Sequence, residues 1–202
     1  MLLPEVSMKA SKQNTLLSVL LLIVYTITYA ISFTWETPIA FYYYGMTAGT
    51  ALLFILFLRN LKPLYYAIFS FFTVMAQYFG SMLGGYHAIS FYDLLLHFSS
   101  GILLILVGYL LYTALVRRYE IDSRAVLLPV LFSLFLAIAA AGLWEVYEFC
   151  GDTFFHLQAQ GGSLTDTMTD IIAGSCGALI GAAFLASSLK KHKQPQKDKR
   201  QD

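Results

Sequence analysis

Six apolar segments dominate this chain of 202 residues, and each is long enough to cross the hydrocarbon core of a bilayer. A helix that spans this core needs about 20 mostly apolar residues. Apolar residues make up 58% of the chain and charged residues 12%, whereas about a quarter of a soluble domain is charged. We therefore predict an integral membrane protein. Its spanning helices are predicted at residues 16–33, 39–58, 64–83, 94–116, 126–149 and 168–189.

The predicted fold is all-α, a bundle of six transmembrane helices that forms one domain over residues 1–189. The connections between the segments are short and leave no room for a separate soluble domain. Residues 190–202 are rich in Lys and Gln. Because such a tail cannot bury apolar surface, it is predicted to be disordered.

The thirteen Lys and Arg residues are confined to four places, all of which fall on one side of a six-helix protein. Cytoplasmic loops retain Lys and Arg, so both termini are predicted to be cytoplasmic. The four places are Lys9 and Lys12; Arg59 and Lys62; Arg117, Arg118 and Arg124; and Lys190, Lys191, Lys193, Lys197, Lys199 and Arg200.

The opposite side carries acids and histidines but no Lys or Arg. Three helix ends there have such residues spaced three or four apart, so that each group lies on one helix face. The three groups are Asp93 and His97; Glu145, Glu148 and Asp152; and Asp166 and Asp170. Asp93, Asp166 and Asp170 are close to helix N-termini, where the helix dipole favours acids. The dipole opposes the group on the fifth helix, so capping does not explain it.

Carboxylates that converge without a cation must bind protons, a divalent metal or a cationic ligand. Carboxylate and imidazole ligands suit Mg²⁺, Mn²⁺, Zn²⁺ or Ca²⁺. We expect a divalent-metal site at the extracytoplasmic face, with His97, Glu145 and Asp170 as catalytic residues. The expected ligands are Asp93, His97, Glu145, Glu148, Asp152, Asp166 and Asp170. The alternative interpretation is that these acids are solvated helix-end residues or proton carriers.

Two further patterns concern the last helix. Ser163 and Asp166 have the spacing of an N-terminal capping box, which places the start of this helix near Leu164. Gly174, Gly177 and Gly181 then form a face of small residues that lets another helix come close.

The motifs of the second half of the chain resemble those of the YjdF-type family of bacterial inner-membrane proteins. They are Tyr92-Asp93-Leu-Leu-Leu-His97-Phe98, Trp144-Glu145-Val-Tyr-Glu148-Phe149 and Asp166-Thr-Met-Thr-Asp170. Their order is also similar, more distantly, to that of VanZ-like membrane proteins, although Gly174 and Glu148 depart from that pattern. The resemblance implies a multi-pass protein of the bacterial cytoplasmic membrane, connected with the cell envelope.

Three functions are compatible with these features. The first is a metal-dependent hydrolase or transferase that acts on a lipid or a lipid-linked headgroup at the outer leaflet. The others are a proton- or cation-coupled transporter and a structural envelope protein with a bound cation. The chain has no basic patch typical of nucleic-acid binding, so the expected partner is the lipid bilayer.

Overall fold

The computed structural model describes residues 7–119, 125–156, 160 and 163–193, and it contains no strand among them. The all-α prediction is confirmed. The contacts divide the chain into two compact units, unit 1 (Met1–Tyr92) and unit 2 (Asp93–Asp202). The sequence predicted one domain over residues 1–189, and the division falls inside that stretch.

Unit 1 consists of three long helices and one short one. Helix α1 covers Met8–Ser32, and α2 covers Phe41–Leu53 and continues as a π-helix over Phe54–Leu58. Helix α3 covers Pro63–Thr73 and continues as a π-helix over Val74–Met82, and α4 is the single turn Gly85–Ala88.

Polar side chains join the helices of unit 1. The side-chain amide of Asn14 donates to the carbonyl oxygens of Arg59 (2.8 Å) and Leu61 (2.9 Å), and the hydroxyls of Ser18 and Tyr66 are 2.5 Å apart. Asn14 and Ser18 are buried. The Asn14 contacts satisfy backbone carbonyls at the turn between α2 and α3, where helical partners are absent.

Unit 2 consists of three long helices, α5 (Tyr92–Arg118), α6 (Leu127–Phe155) and α7 (Leu164–Lys193). The core between them is built from small and branched side chains on all three helices. Its buried members are Ile105, Ala137, Ala178 and Ala182. Helix α7 continues four residues past residue 189, and residues 194–202 of the predicted tail lie outside the described residues.

Helices α5 and α7 approach each other so closely that glycine is required at the contact. A Cβ added to Gly177 would overlap the carbonyl oxygen of Phe98, and one added to Gly101 would overlap that of Gly174. Helix α6 is also near, because a Cβ on Gly174 would lie 3.1 Å from the Cβ of Ala141. The predicted packing role of the glycine face of α7 is confirmed.

Five of the helices are long and apolar enough to cross a membrane: Met8–Ser32, Phe41–Leu58, Tyr92–Arg118, Leu127–Phe155 and Leu164–Lys191. Residues 63–82, which correspond to the third predicted span, are helical but are not among the five. Ser70, Thr73 and Gln77 interrupt the apolar residues of this helix. The count of six spans therefore stays a prediction.

Candidate metal centre

Three helix ends meet at one end of unit 2, which we call the acidic end. Asp93 stands in the first turn of α5, Glu145 about three turns before the end of α6, and Asp170 in the second turn of α7. The close contact between α5 and α7 holds their ends next to each other. Gly174 is one turn beyond Asp170, and a Cβ at Gly174 would lie 3.6 Å from the carbonyl oxygen of His97.

Asp93, His97 and Asp170 form the group best suited to hold a metal. Each offers one ligand atom, and these three atoms all lie within 4.8 Å of one another. The Nε2 atom of His97 is 3.4 Å from Oδ1 of Asp93. His97 and Asp170 are buried and the side chain of Asp93 is 35% exposed. Among the described residues, no Lys or Arg forms an ion pair with any of the three, so His97 is the basic side chain that faces the carboxylates.

Glu145 lies beside this group. It is 4% exposed, and its Oε1 atom is 3.8 Å from Nδ1 of His97. Neither of its carboxylate oxygens has a hydrogen-bond partner among the described residues. The Thr167 hydroxyl, on the facing helix α7, is near enough to interact with this carboxylate, but no hydrogen bond of standard geometry joins the two. An unsatisfied buried carboxylate is costly, which makes Glu145 a candidate for binding a cation or moving a proton.

Two of the predicted ligands on α6 bind other partners. Oε1 of Glu148 accepts a hydrogen bond from the Trp144 indole nitrogen at 2.7 Å. Oδ2 of Asp152 accepts one from the backbone N–H of Gln160 at 3.0 Å, which ties the end of α6 to the connection with α7. The structure does not bring Glu148 and Asp152 into the group of Asp93, His97 and Asp170.

Asp166 takes part in the N-terminal cap of α7. Its backbone N–H donates to Oγ of Ser163 at 3.1 Å, so the predicted N-cap is confirmed. Its carboxylate is close enough to Asp93 and His97 to interact with them electrostatically, but it is not a member of the three-residue group. Asp166 is one turn nearer the end of the helix than Asp170. His156 ends α6 in a left-handed conformation (φ 55°), so the helix face that carries Glu145, Glu148 and Asp152 does not continue to His156.

A groove between α6 and α7 adjoins Glu145, and no sequence pattern indicates it. Its volume is about 590 Å³. Its described lining residues are Gly142, Glu145, Val146, Phe149, Gln160, Ser163, Leu164, Thr167 and Ile171. Its spacing could have identified Thr167 as a residue near the site, because Thr167 precedes Asp170 by three residues and so lies on the same side of α7.

The comparisons with known proteins identify a family. A family model described as "Predicted membrane protein (DUF2238)" matches residues 13–191. The chain belongs to this family. It is the YjdF-type family that the motifs resemble, so that resemblance is confirmed, and the matched residues include the whole acidic end. No curated protein and no solved structure matches the chain.

Proposed function

We propose that this member of the DUF2238 family binds one divalent cation at Asp93, His97 and Asp170 and uses the site to hydrolyse or transfer a lipid or lipid-linked headgroup. The observation that carries the proposal is Glu145, a buried carboxylate with no hydrogen-bond partner in the described part of the chain, 3.8 Å from a histidine of the three-residue group. Acids alone at a helix end would be explained by solvation. Solvation does not explain why Glu145, next to them, is buried.

The donor set fits a catalytic cation better than a closed structural one. Catalytic sites commonly have three protein ligands and an open position, whereas structural zinc sites are four-coordinate and rich in Cys. Two carboxylates and one imidazole suit Mg²⁺, Mn²⁺ or Zn²⁺. When bound, such a cation would polarise a phosphoryl or carbonyl oxygen of the substrate.

The residues of the chain then have distinct roles. Asp93 and Asp170 hold the cation from two different helices, and His97 holds it from the same helix face as Asp93. Glu145 is outside this group, and its free carboxylate can accept a proton from the attacking nucleophile and return it to the leaving group. Glu148 is held by Trp144, so the proposal assigns it no role in the reaction.

Transport is less well supported, because a carrier needs polar groups that continue from the site along a path. The hydroxyls of Ser99, Ser100 and Ser133 donate to carbonyl oxygens of their own helices. These three hydroxyls are thus bonded to the backbone of α5 and α6, and they do not extend the polar site into a transport path. The proposed protein is therefore an enzyme of the bacterial cytoplasmic membrane, with its site at the extracytoplasmic face.

Elemental analysis of the detergent-purified protein tests the proposal, with wild type compared with Asp170→Asn. We expect near-stoichiometric metal in the wild type and its loss in the variant. Asp152→Asn is the matched control, since an Asn side chain can still accept the hydrogen bond from Gln160. Release of phosphate or headgroup from lipid substrates should then require metal and stop in Glu145→Gln. Metal-free wild type after incubation with Mg²⁺, Mn²⁺ and Zn²⁺, or full turnover in Glu145→Gln, would contradict the proposal.

A further inference from the structure

The end of unit 2 opposite the acidic end carries four basic side chains. Helices α5 and α7 both begin at the acidic end, and they run in parallel because Gly177 lies against Phe98 and Gly181 against Ile105. Both helices therefore end at the opposite end of unit 2. The residues that we call the basic end stand in their last turns: Arg117 and Arg118 of α5, and Lys190 and Lys191 of α7.

No group of the described residues neutralises these four charges. All four side chains are exposed, and within the described part of the chain none of them forms an ion pair or donates a side-chain hydrogen bond. The described acids of unit 2 stand on the other halves of the helices: Asp93, Glu145, Glu148, Asp152, Asp166 and Asp170. Because like charges repel, the basic end favours an anionic partner from outside the chain.

On each helix an exposed apolar side chain precedes a basic one by two turns. Leu111, seven residues before Arg118, is 41% exposed, and Phe184, seven residues before Lys191, is 72% exposed. Seven residues span about 10.5 Å along a helix, and the two members of each pair share a helix face. Because both helices are long and apolar enough to span a membrane, such faces meet acyl chains where the basic side chains reach the headgroups.

A phospholipid combines these two features, and charge selects among phospholipids. The guanidinium of Arg binds phosphate oxygens through two parallel hydrogen bonds, and Lys adds a point charge. A zwitterionic headgroup brings its own cation to the site, whereas a headgroup with net negative charge does not. Sorting of Lys and Arg to the cytoplasmic side explains where these residues stand, but it predicts no site that distinguishes one lipid from another.

We propose that the basic end of unit 2 is a binding site for phospholipids with a net negative headgroup. The phosphate lies at the four basic side chains, and the acyl chains follow Leu111 and Phe184. The inference goes beyond the proposed function and does not depend on it, because neither the metal ligands nor Glu145 belongs to the basic end. Failure of either proposal leaves the other intact.

Lipid retention tests the inference. The purified protein is incubated in detergent with an equimolar mixture of phosphatidylglycerol and phosphatidylcholine that have identical acyl chains, and the retained lipids are quantified by mass spectrometry. We expect the wild type to retain phosphatidylglycerol about tenfold over phosphatidylcholine at low salt. The preference should fall in about 1 M NaCl, where the Debye length is only about 3 Å.

Two fourfold variants separate a local site from a general effect of charge. Changing Arg117, Arg118, Lys190 and Lys191 to Gln should lower the preference below about twofold. The control changes Lys9, Lys12, Arg59 and Lys62 to Gln, which removes the same charge from exposed positions of unit 1. This control should keep the preference of the wild type.

A second pair tests whether the site takes a lipid or only its phosphate. Phe184→Ser should reduce retention of phosphatidylglycerol at least about threefold, because the acyl chain loses an apolar neighbour. Phe135→Ser is the control, since Phe135 is 65% exposed but lies on α6, whose described residues include no Lys or Arg. Inorganic phosphate at the same ionic strength as the chloride buffer should displace little of the bound lipid.

Four results would overturn the inference. They are equal retention of the two lipids by the wild type, equal losses of preference in the two fourfold variants, equal losses of lipid in Phe184→Ser and Phe135→Ser, and full displacement of the lipid by inorganic phosphate. The measurement on the wild type alone keeps the test decisive if a variant does not fold.

Discussion

The Nδ1 atom of His97 lies 3.8 Å from Oε1 of Glu145, while its Nε2 atom lies 3.4 Å from Oδ1 of Asp93. One imidazole on α5 thus faces a carboxylate of its own helix and another from α6. The 3.8 Å separation exceeds hydrogen-bond distance, so the contact between His97 and Glu145 is electrostatic and leaves the Glu145 oxygens unsatisfied. The site therefore exists only when the helices of unit 2 are packed.

Replacing Glu145 by Leu should stabilise the metal-free protein. Leu has a similar size and removes two unsatisfied buried oxygens, each of which costs about 1–3 kcal/mol when desolvated. We expect the free energy of unfolding in a chelator to rise by about 1–3 kcal/mol, and the thermal midpoint with it. Glu148→Leu is the control. It loses the hydrogen bond from Trp144 and should give no gain. A destabilised Glu145→Leu would show that Glu145 has a structural partner.

Divalent metal should stabilise the wild type and leave Asp170→Asn unchanged. A ligand that binds only the folded protein adds about 2.7 kcal/mol at a hundredfold excess over its dissociation constant. Asn at position 170 keeps the shape of the side chain but loses the charge of one of the three ligands. Thermal unfolding with increasing Mn²⁺ measures the effect. Equal shifts in both proteins would place the metal elsewhere.

Much of unit 2 could be predicted from the sequence, because its helices are continuous apolar segments with recognisable ends. The predicted start of α7 near Leu164 is confirmed by the hydrogen bond from the Asp166 backbone to Ser163. Helix α6 was predicted to end at residue 149 and continues to Phe155. The polar residues at its end were read as the end of the span, but backbone hydrogen bonds continue through them.

Unit 1 was less predictable at its start. Helix α1 was predicted from residue 16 and begins at Met8, where the Ser7 hydroxyl accepts from the Ala10 N–H. The prediction followed hydrophobicity alone. The polar first turns are helical because Asn14 finds partners 45 and 47 residues further along the chain, and such distant contacts cannot be read from local composition.

For the site, spacing predicted which acids share a helix face but not which faces meet. Asp166 and Asp170 share one face, yet Asp170 alone joins His97 in the three-residue group. On α6, Glu145 is buried whereas Glu148 is bound to Trp144. In both cases the residue one turn further from the helix end is the one drawn into the site. That difference depends on how α5, α6 and α7 are rotated about their axes, which the glycine contacts determine.

Gly177→Ala should destabilise unit 2, because its Cβ would overlap the Phe98 carbonyl oxygen and force α5 and α7 apart. Overpacking of this kind costs about 1–3 kcal/mol. Gly49→Ala in α2 is the control: a Cβ there meets nothing within 4 Å, and Ala is favoured over Gly in a helix by about 1 kcal/mol. Thermal unfolding in detergent compares the two. Metal binding should also weaken in Gly177→Ala, and an unchanged protein would contradict the close contact.

Asn14→Ala should loosen unit 1 at the turn between α2 and α3. The substitution leaves the carbonyl oxygens of Arg59 and Leu61 without their buried donor, at an expected cost of about 1–3 kcal/mol. Gln13→Ala, at an exposed neighbouring position, should have little effect. Limited proteolysis between α2 and α3 and thermal unfolding both measure the difference. Equal behaviour of the two variants would show that the two hydrogen bonds contribute nothing to stability.

The helix at residues 63–82 decides which side of the membrane the acidic end faces. If it spans the membrane, the six-helix order puts the start of α7 on the same side as the connection between α1 and α2. If it does not, the start of α7 joins the connection between α2 and α3 instead. Because Arg59 and Lys62 stand in that second connection, it is expected to be cytoplasmic.

Single cysteines measure this directly in a background without Cys150 and Cys176. We expect an impermeant maleimide added to intact cells to label Thr37→Cys and Thr165→Cys, both at exposed positions, and to label Lys62→Cys only after the membrane is broken. If Thr165→Cys, like Lys62→Cys, is labelled only after the membrane is broken, the acidic end lies in the cytoplasm. The site would then meet the inner leaflet and soluble cytoplasmic substrates, and a role at the outer surface would be excluded.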